Sequence, residues 1–126
     1  MLCRVTLLAG AIVLTGCIFG SATFLADRDT DIKDATQAIQ NARDDGQRAK
    51  GYSSRGVAYS EKARYSRIMK LIPNEEYERL FDLAIKDHNQ AVALSPGAEV
   101  FLNRAQAYYD RGALDLVENK SEAPRS

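Results

Sequence analysis

Apolar residues recur at steps of three and four along most of the chain, which is the period of an amphipathic α-helix. The first such stretch is predicted from about Asp31 to Arg43, and its shared face is formed by Ile32, Ala35, Ala38, Ile39 and Ala42. Asp44-Asp45-Gly46 follows, and Gly46 is predicted to be the residue just past the helix end. Residues 31–43 therefore predict the first helix of a folded domain.

Three more helices are predicted from the same period, at about 47–71, at about 74–94, and from about 98 to 111 or a little beyond. Pro73 and Pro96 separate them, because proline lacks an N–H and disfavours helical dihedrals in the residue before it. Asn74 is expected to cap the third helix. The sequence thus predicts an all-α domain over 31–118, followed by a disordered tail at 119–126.

The first sixteen residues have a different composition. Arg4 is the only charge in 1–16, and an apolar run from Val5 to Leu14 follows it, as in a secretory signal. Leu14-Thr15-Gly16-Cys17 resembles the lipobox of bacterial lipoproteins, in which the cysteine receives a diacylglyceryl group and becomes the new N-terminus. Two acyl chains hold a soluble domain stably on a bilayer. The resemblance implies a signal peptide at 1–16 and lipidation of Cys17.

A second interpretation of this segment stays open. Residues 5–26 contain no charge and match the roughly 20 apolar residues that span a bilayer, so they could form an uncleaved anchor in the inner membrane. In the lipoprotein interpretation, 17–30 is the lipidated cysteine with a flexible tether. Ile18 after the cysteine, instead of Asp, favours the outer membrane, facing the periplasm.

Charge and composition argue against nucleic-acid binding, a metal site and catalysis. The 126 residues include 17 basic and 17 acidic side chains, so no strong field for nucleic acid is expected. There is one histidine, His88, and no cysteine or second histidine is placed to complete a metal site. We expect His88 to have a packing role, and we expect no catalytic residue, no cofactor and no enzyme activity.

Two segments of the chain repeat. Residues 32–38, IKDATQA, match 85–91, IKDHNQA, at five of seven positions. Residues 52–59 align with 101–108 in the order aromatic residue, arginine, small residue, any residue, alanine, tyrosine. The first and third helices are therefore alike, as are the second and fourth. Because Arg55 and Arg104 recur at equivalent positions, we expect each to form an intramolecular ion pair.

These positions resemble the tetratricopeptide repeat (TPR) family, whose repeat is a 34-residue helix–turn–helix. The residues that match are Tyr52, Gly56 and Tyr59 in a first helix, Ala84, Ala91 and Pro96 in a second helix, and Phe101, Ala105 and Tyr108 in the next first helix. The resemblance implies one full repeat flanked by two half repeats. Solenoids usually need about three units to bury a continuous core, so additional burial is expected from a partner, from self-association or from the hairpin.

The full repeat departs from the family pattern by the extra segment Ser66 to Leu80. We interpret it as additional turns on both helices that form a protruding hairpin. Its tip, with Met69, Ile72 and Tyr77, is one predicted binding surface.

The other predicted surface is the concave face that TPR proteins use to bind peptides. By resemblance, the groove residues are Ser53, Val57, Ser60, Leu102, Asn103, Gln106 and Tyr109. Asn103 resembles one member of a carboxylate clamp, but Ser53 and Val57 replace its other members, so no clamp is expected. The predicted function is a membrane-tethered adaptor or assembly factor of the bacterial envelope that binds a peptide or a partner helix. The alternatives are a self-assembling structural protein and an accessory subunit of an envelope enzyme.

Overall fold

The computed structural model describes residues 6–8, 11–13 and 16–121, with side chains at 22–113 and at 116. Two three-residue strands, β1 (Thr6–Leu8) and β2 (Ala11–Val13), pair antiparallel. Four helices follow: α1 (Gly16–Asn41), α2 (Asp45–Ile68), α3 (Asn74–Leu94) and α4 (Ala98–Ser121). The prediction of an all-α fold with four helices is confirmed.

The helices pack in chain order. Helix α2 packs against α1, α3 and α4, and α3 also packs against α4. Within 16–121, α1 contacts neither α3 nor α4. Each helix therefore lies against its neighbours in the chain, which gives a helical-repeat-like fold with one helix face unpartnered at each end.

Helix α1 begins at Gly16, fifteen residues before the predicted start at Asp31. Residues 17–30, predicted to be a flexible tether, are helical in the structure because their second half packs against α2. The ring of Phe24 lies 4.3 Å from that of Tyr65. Two cross-helix ion pairs accompany this contact, one joining Arg28 to Glu61 and the other joining Asp29 to Lys62.

The junction between α1 and α2 differs in detail from the prediction. The side chain of Asp44 accepts a hydrogen bond from the backbone N–H of Gln47 at 2.7 Å and caps α2. Helix α2 therefore begins at Asp45, and Gly46 lies in its first turn. The prediction that Gly46 terminates the first helix was wrong, because the capping carboxylate of Asp44 fixes the boundary.

The turn between α2 and α3 is tight. Helix α2 ends at Ile68, and the N–H groups of Lys70 and Leu71 bond back to the carbonyls of Arg67 and Ser66. This is a Schellman motif, and Lys70 takes the left-handed conformation with φ 52°. The cap of α3 is Pro73, which provides no side-chain hydrogen bond. Asn74 is the first residue of the helix, so the prediction that it caps α3 was wrong.

The hairpin segment forms the main hydrophobic cluster. Ala63, Tyr77, Leu80 and Phe81 are buried together, and Tyr59 and Ile72 pack against them. Two predicted tip residues are therefore part of the core: Tyr77 is only 2% exposed and Ile72 is half-buried. Met69 alone of the three is exposed, at 47%.

Helix α4 continues to Ser121, beyond the predicted end near Arg111. Residues 119–121, predicted to belong to a disordered tail, are helical. Residues 122–126 lie outside the described part of the chain, and the tail prediction stays a prediction there.

Candidate partner-binding site

A groove of about 800 Å³ lies between α1 and α2 and extends to the start of α4. Its α1 wall consists of one helix face with small residues, including Ala35, Ala38 and Ala42. Its α2 wall includes Gly51, where an added Cβ would lie 2.7 Å from Ile39 Cγ1, so the two backbones approach closely. Small residues on both walls leave room above this close contact for side chains of a ligand.

The groove contains more acidic than basic side chains. Its charged lining residues are Arg28, Asp31, Asp34, Lys50, Glu61 and Glu99. Arg28 is already engaged, because its guanidinium pairs with both Asp31 and Glu61. Within 22–113, Asp34 and Glu99 form no ion pair or side-chain hydrogen bond. The groove therefore favours an apolar partner that presents a basic side chain.

Three of the predicted groove residues line this space: Ser53, Val57 and Asn103. They form its edge where α2 meets α4, and the Asn103 amide donates a hydrogen bond to Ser53 Oγ at 3.1 Å. The side chain of Asn103, which resembles one member of a carboxylate clamp, is therefore already hydrogen-bonded within the domain. The structure thus places part of the predicted surface at the groove.

A second, smaller cavity of about 150 Å³ lies between α2, α3 and α4. Val57, Ser60, Asn103 and Gln106 of the predicted set line it, together with His88. Ser60 Oγ and His88 Nδ1 are buried without a hydrogen-bond partner among the described residues. The cavity has both polar and apolar groups in its wall and is large enough for a few waters, which occupy about 30 Å³ each.

The remaining two predicted groove residues, Leu102 and Tyr109, line neither cavity. Both project from α4 into solvent and are 69% and 70% exposed. Phe101 and Tyr108 on the same helix are also exposed, at 45% and 51%. Helix α4 thus presents several large apolar side chains to solvent, and a group of exposed apolar side chains of this kind is typical of an interaction surface.

His88 is a packing residue in the described structure. It is 1% exposed, and an added Cβ at Gly56 would lie 2.8 Å from its Cε1, so only glycine fits opposite the ring. Burial lowers the pKa of His88 below its ordinary value of 6.5, with the positive charge of Arg104 acting in the same direction and the carboxylate of Asp87 opposing it. The neutral imidazole is thus the stable form at this position.

Arg55 connects three helices. Its Nε and Nη2 donate to the two carboxylate oxygens of Asp87 on α3, at 2.7 and 2.8 Å, and its Nη1 donates to Thr36 Oγ1 on α1 at 3.1 Å. The guanidinium also lies 5.5 Å from the ring centre of Tyr52. The hydrogen bonds to Asp87 raise the pKa of Arg55 above its usual range. The predicted ion pair of Arg55 is confirmed.

Arg104 differs from its equivalent in α2. Its Nη1 donates to Asn89 Oδ1 at 3.2 Å, and its guanidinium lies 5.4 Å from the ring centre of Phe101. Among residues 22–113 it meets no carboxylate within ion-pair distance. The predicted intramolecular ion pair of Arg104 is therefore not observed among the side chains that the structure describes, and none of the helices α1, α2 and α3 brings an acidic side chain within ion-pair distance of it.

Sequence reasoning missed the α1 wall of the groove, including Asp34 and Ala38. Of the two predicted binding surfaces, the concave groove was assigned to α2 and α4 only, by resemblance to TPR proteins, and the hairpin tip was the other. The internal repeat contained the missing signal. Asp34 and Ala38 are equivalent to Asp87 and Ala91, which are buried against α2 in the full hairpin.

Other sequence expectations concern the ends and the chemistry of the chain. Cys17 lies in the first turn of α1, and its side chain is outside the described residues. In the described part of the chain, no helix is long and apolar enough to cross a bilayer. The same residues contain no group of three histidine, cysteine or acidic side chains able to hold a metal ion.

Comparison with protein-family models, with curated proteins and with solved structures found no match to this chain.

Proposed function

We propose that this chain is a protein–protein interaction module of the bacterial cell envelope, which holds an apolar, basic segment of a partner protein in the α1–α2 groove. The observation that supports this most directly is the groove itself. It has a volume of about 800 Å³, walls of small residues, and two carboxylates, Asp34 and Glu99, that no described residue neutralises. Its mechanism is reversible binding without bond chemistry, and the chain is not an enzyme.

The proposal includes membership of the TPR family. The order of the helices agrees with that architecture, since α2 and α3 would form the full repeat, α1 the second helix of a preceding repeat, and α4 the first helix of a following one. In this assignment, α2 and α4 line the concave side, where Ser53, Val57 and Asn103 meet the groove.

The proposal also includes lipid anchoring through Cys17 in the outer membrane, facing the periplasm. Support comes from the four residues that resemble a lipobox after a charged start and an apolar run. Labelling with a fatty acid analogue tests it: the wild-type chain should take up label and lose the mass of residues 1–16, and Cys17→Ser should do neither. A wild-type chain that keeps its precursor mass without label would refute the lipid anchor.

Site-specific photo-crosslinking in cells tests the binding function. A photoreactive residue is placed at Val57 in the groove, at Met69 on the exposed hairpin turn, or at Glu78 on the outer face of α3 as the control. We expect a protein adduct from Val57 and none from Glu78. Adducts from Met69 alone would move the binding surface to the hairpin, and equal adducts from all three positions would contradict a specific site.

A further inference from the structure

We propose that the partner held in the α1–α2 groove is helix α4 of a second copy of this chain, so that copies join head to tail. This inference rests on the proposed function, since it names the occupant of the same groove. It starts from the comparison of Arg104 with Arg55, which are equivalent residues of the internal repeat.

Arg104 reproduces half of the interactions of Arg55. Each guanidinium lies over the aromatic ring three residues earlier, with Tyr52 beneath Arg55 and Phe101 beneath Arg104. Each also donates to a side-chain oxygen of the preceding helix, Thr36 for Arg55 and Asn89 for Arg104. These two acceptors are themselves equivalent, since the segments 32–38 and 85–91 extend the repeat to this pair. Arg104 is thus held in the same orientation as Arg55.

The missing half is a carboxylate on the helix that follows. Arg55 binds Asp87 of α3 through two hydrogen bonds, and Asp87 has a side chain only 5% exposed. The chain contains one equivalent of Asp87, which is Asp34 of α1. Asp34 lines the groove and forms no ion pair among the described residues. A second copy would join Arg104 to Asp34, neither of which has an ion-pair partner among the described side chains.

The apolar residues on the two surfaces also correspond. Phe101, Ala105 and Tyr108 of α4 are equivalent to Tyr52, Gly56 and Tyr59, which lie beside α3 in the full hairpin. On α1, Ala35 and Ala38 are equivalent to His88 and Ala91 of α3. The pair Gly56–His88 in one hairpin therefore corresponds to Ala105–Ala35 between copies, and two alanines leave room for the helices to approach.

Leu102 and Tyr109, the remaining exposed apolar residues of this part of α4, fit the same arrangement. They occupy positions equivalent to Ser53 and Ser60 of α2. Ser53 accepts a hydrogen bond from Asn103 of α4, and Ser60 lines a cavity together with residues of α4. In the joined arrangement the two apolar side chains would turn towards α2 of the second copy, whose Val57 and Ala58 line the groove. The exposed apolar surface of α4 would thereby be covered.

The contact joins two different surfaces, so it is heterologous and leaves a free α4 and a free α1 face on the resulting pair. Growth can then continue by addition of further copies until a ring closes or the supply of chains ends. Two half repeats at opposite ends of one chain become one full hairpin at every junction.

Charge reversal at the two ends tests this contact in the whole 126-residue chain, purified in a non-ionic detergent and followed by sedimentation. We expect wild-type chains to form species larger than a dimer as concentration rises. Arg104→Asp alone places two acidic residues in the junction, and Asp34→Arg alone places two basic ones there. Each single variant should weaken association about tenfold or more, as expected for a close charge pair at an interface.

An equimolar mixture of the two single variants is the decisive sample. In the mixture, every junction between unlike chains pairs opposite charges again, so association should return towards the wild-type level although neither variant associates alone. Arg79→Asp and Glu78→Arg on the outer face of α3 change net charge equally and serve as controls that should associate like wild type.

Three results would overturn the inference: a wild-type chain that stays monomeric at all concentrations, single variants that associate as the wild type does, or a mixture that fails to recover. The photo-crosslinking experiment distinguishes failure of this inference from failure of the proposed function. An adduct from Val57 with a different protein, combined with a monomeric wild type, would retain the groove as a binding site and reject the second copy as its occupant.

Discussion

Two polar side chains, Arg55 and His88, lie at the centre of the α2–α3 contact, and burial affects them in different ways. Arg55 keeps its charge because Asp87 binds it with two hydrogen bonds. His88 has no acidic partner in direct contact and is held neutral by desolvation. The stability of the hairpin therefore depends on the protonation of His88 and on the integrity of the Arg55–Asp87 pair.

His88 should make folding stability depend on pH. Its folded-state pKa lies below the ordinary 6.5, so the unfolded chain binds a proton first as pH falls. The contribution is complete above pH 6.5 and is lost as pH falls towards the folded-state value. We expect urea denaturation to give a lower free energy of unfolding at about pH 5.5 than at about pH 7.5, with a slope of at most about 1.4 kcal/mol per pH unit.

The matched control is His88→Gln, which retains a polar side chain without a titrating group. Its overall stability is expected to change, but the slope between these two pH values should be smaller than in wild type. Since His88 is the only histidine of the chain, no other imidazole can produce the difference. An unchanged slope in His88→Gln would contradict burial of the neutral ring.

Asp87→Ala should destabilise the domain by about 2 to 3 kcal/mol, because it leaves the guanidinium of Arg55 without its charge partner between packed helices. We place the cost at the low end for a buried pair, because the Arg55 side chain keeps 21% of its surface exposed. Thermal unfolding followed by circular dichroism measures it. Glu76→Ala removes a carboxylate from the exposed pair with Arg79 and should change stability little. Equal effects in the two variants would contradict the difference in burial.

At the scale of the helices, the end of α2 contains a local conflict between residue type and conformation. Lys70 occupies the left-handed position of the Schellman motif, where glycine has no steric penalty. We expect Lys70→Gly to stabilise the domain by about 0.5 to 1 kcal/mol in chemical denaturation. Lys70→Ala, which keeps a Cβ, should show no such gain. A gain in both variants would assign the effect to loss of the lysine charge instead.

The helices could be predicted well from sequence where the hydrophobic period and the helix-breaking prolines indicate the same boundaries. The third helix was predicted at about 74–94 and is observed over Asn74–Leu94, one residue earlier at its start than the predicted Asn74 cap implied, because Pro73 and Pro96 bound it. The start of α1 could not be predicted. Gly20, Ser21 and Thr23 have modest helix propensity, and the contacts that override it involve residues far along the chain, such as Tyr65.

The candidate site could be predicted only in part. Ser53, Val57 and Asn103 were assigned to a binding groove by resemblance to TPR proteins, and all three line the groove between α1 and α2. Tyr77 was assigned to an exposed tip, although the short turn at 69–73 folds its ring into the cluster with Phe81. Which side of a hairpin is buried depends on the geometry of its turn, and periodicity alone does not specify that geometry.

At the scale of the whole molecule, packing is almost one-dimensional. Helix α1 depends on α2 alone, and α4 rests on α3 and α2. Within 16–121, the outer helix α1 therefore has one neighbouring helix whereas the central helix α2 has three, and the repeat does not close on itself within one chain. Self-association, as proposed, removes this difference between central and outer helices.

The continuity of α1 from Gly16 to Asn41 also has a consequence for the position of the domain above a membrane. With Cys17 as the lipid attachment point, a flexible tether would let the groove face any direction and vary its height. A helix instead acts as a rigid strut, with a rise of about 1.5 Å per residue, so Asp34 would stand about 25 Å along the axis from the anchor. The helix would thereby set the distance between the lipid anchor and the groove, and so limit how far from the bilayer a second chain could dock.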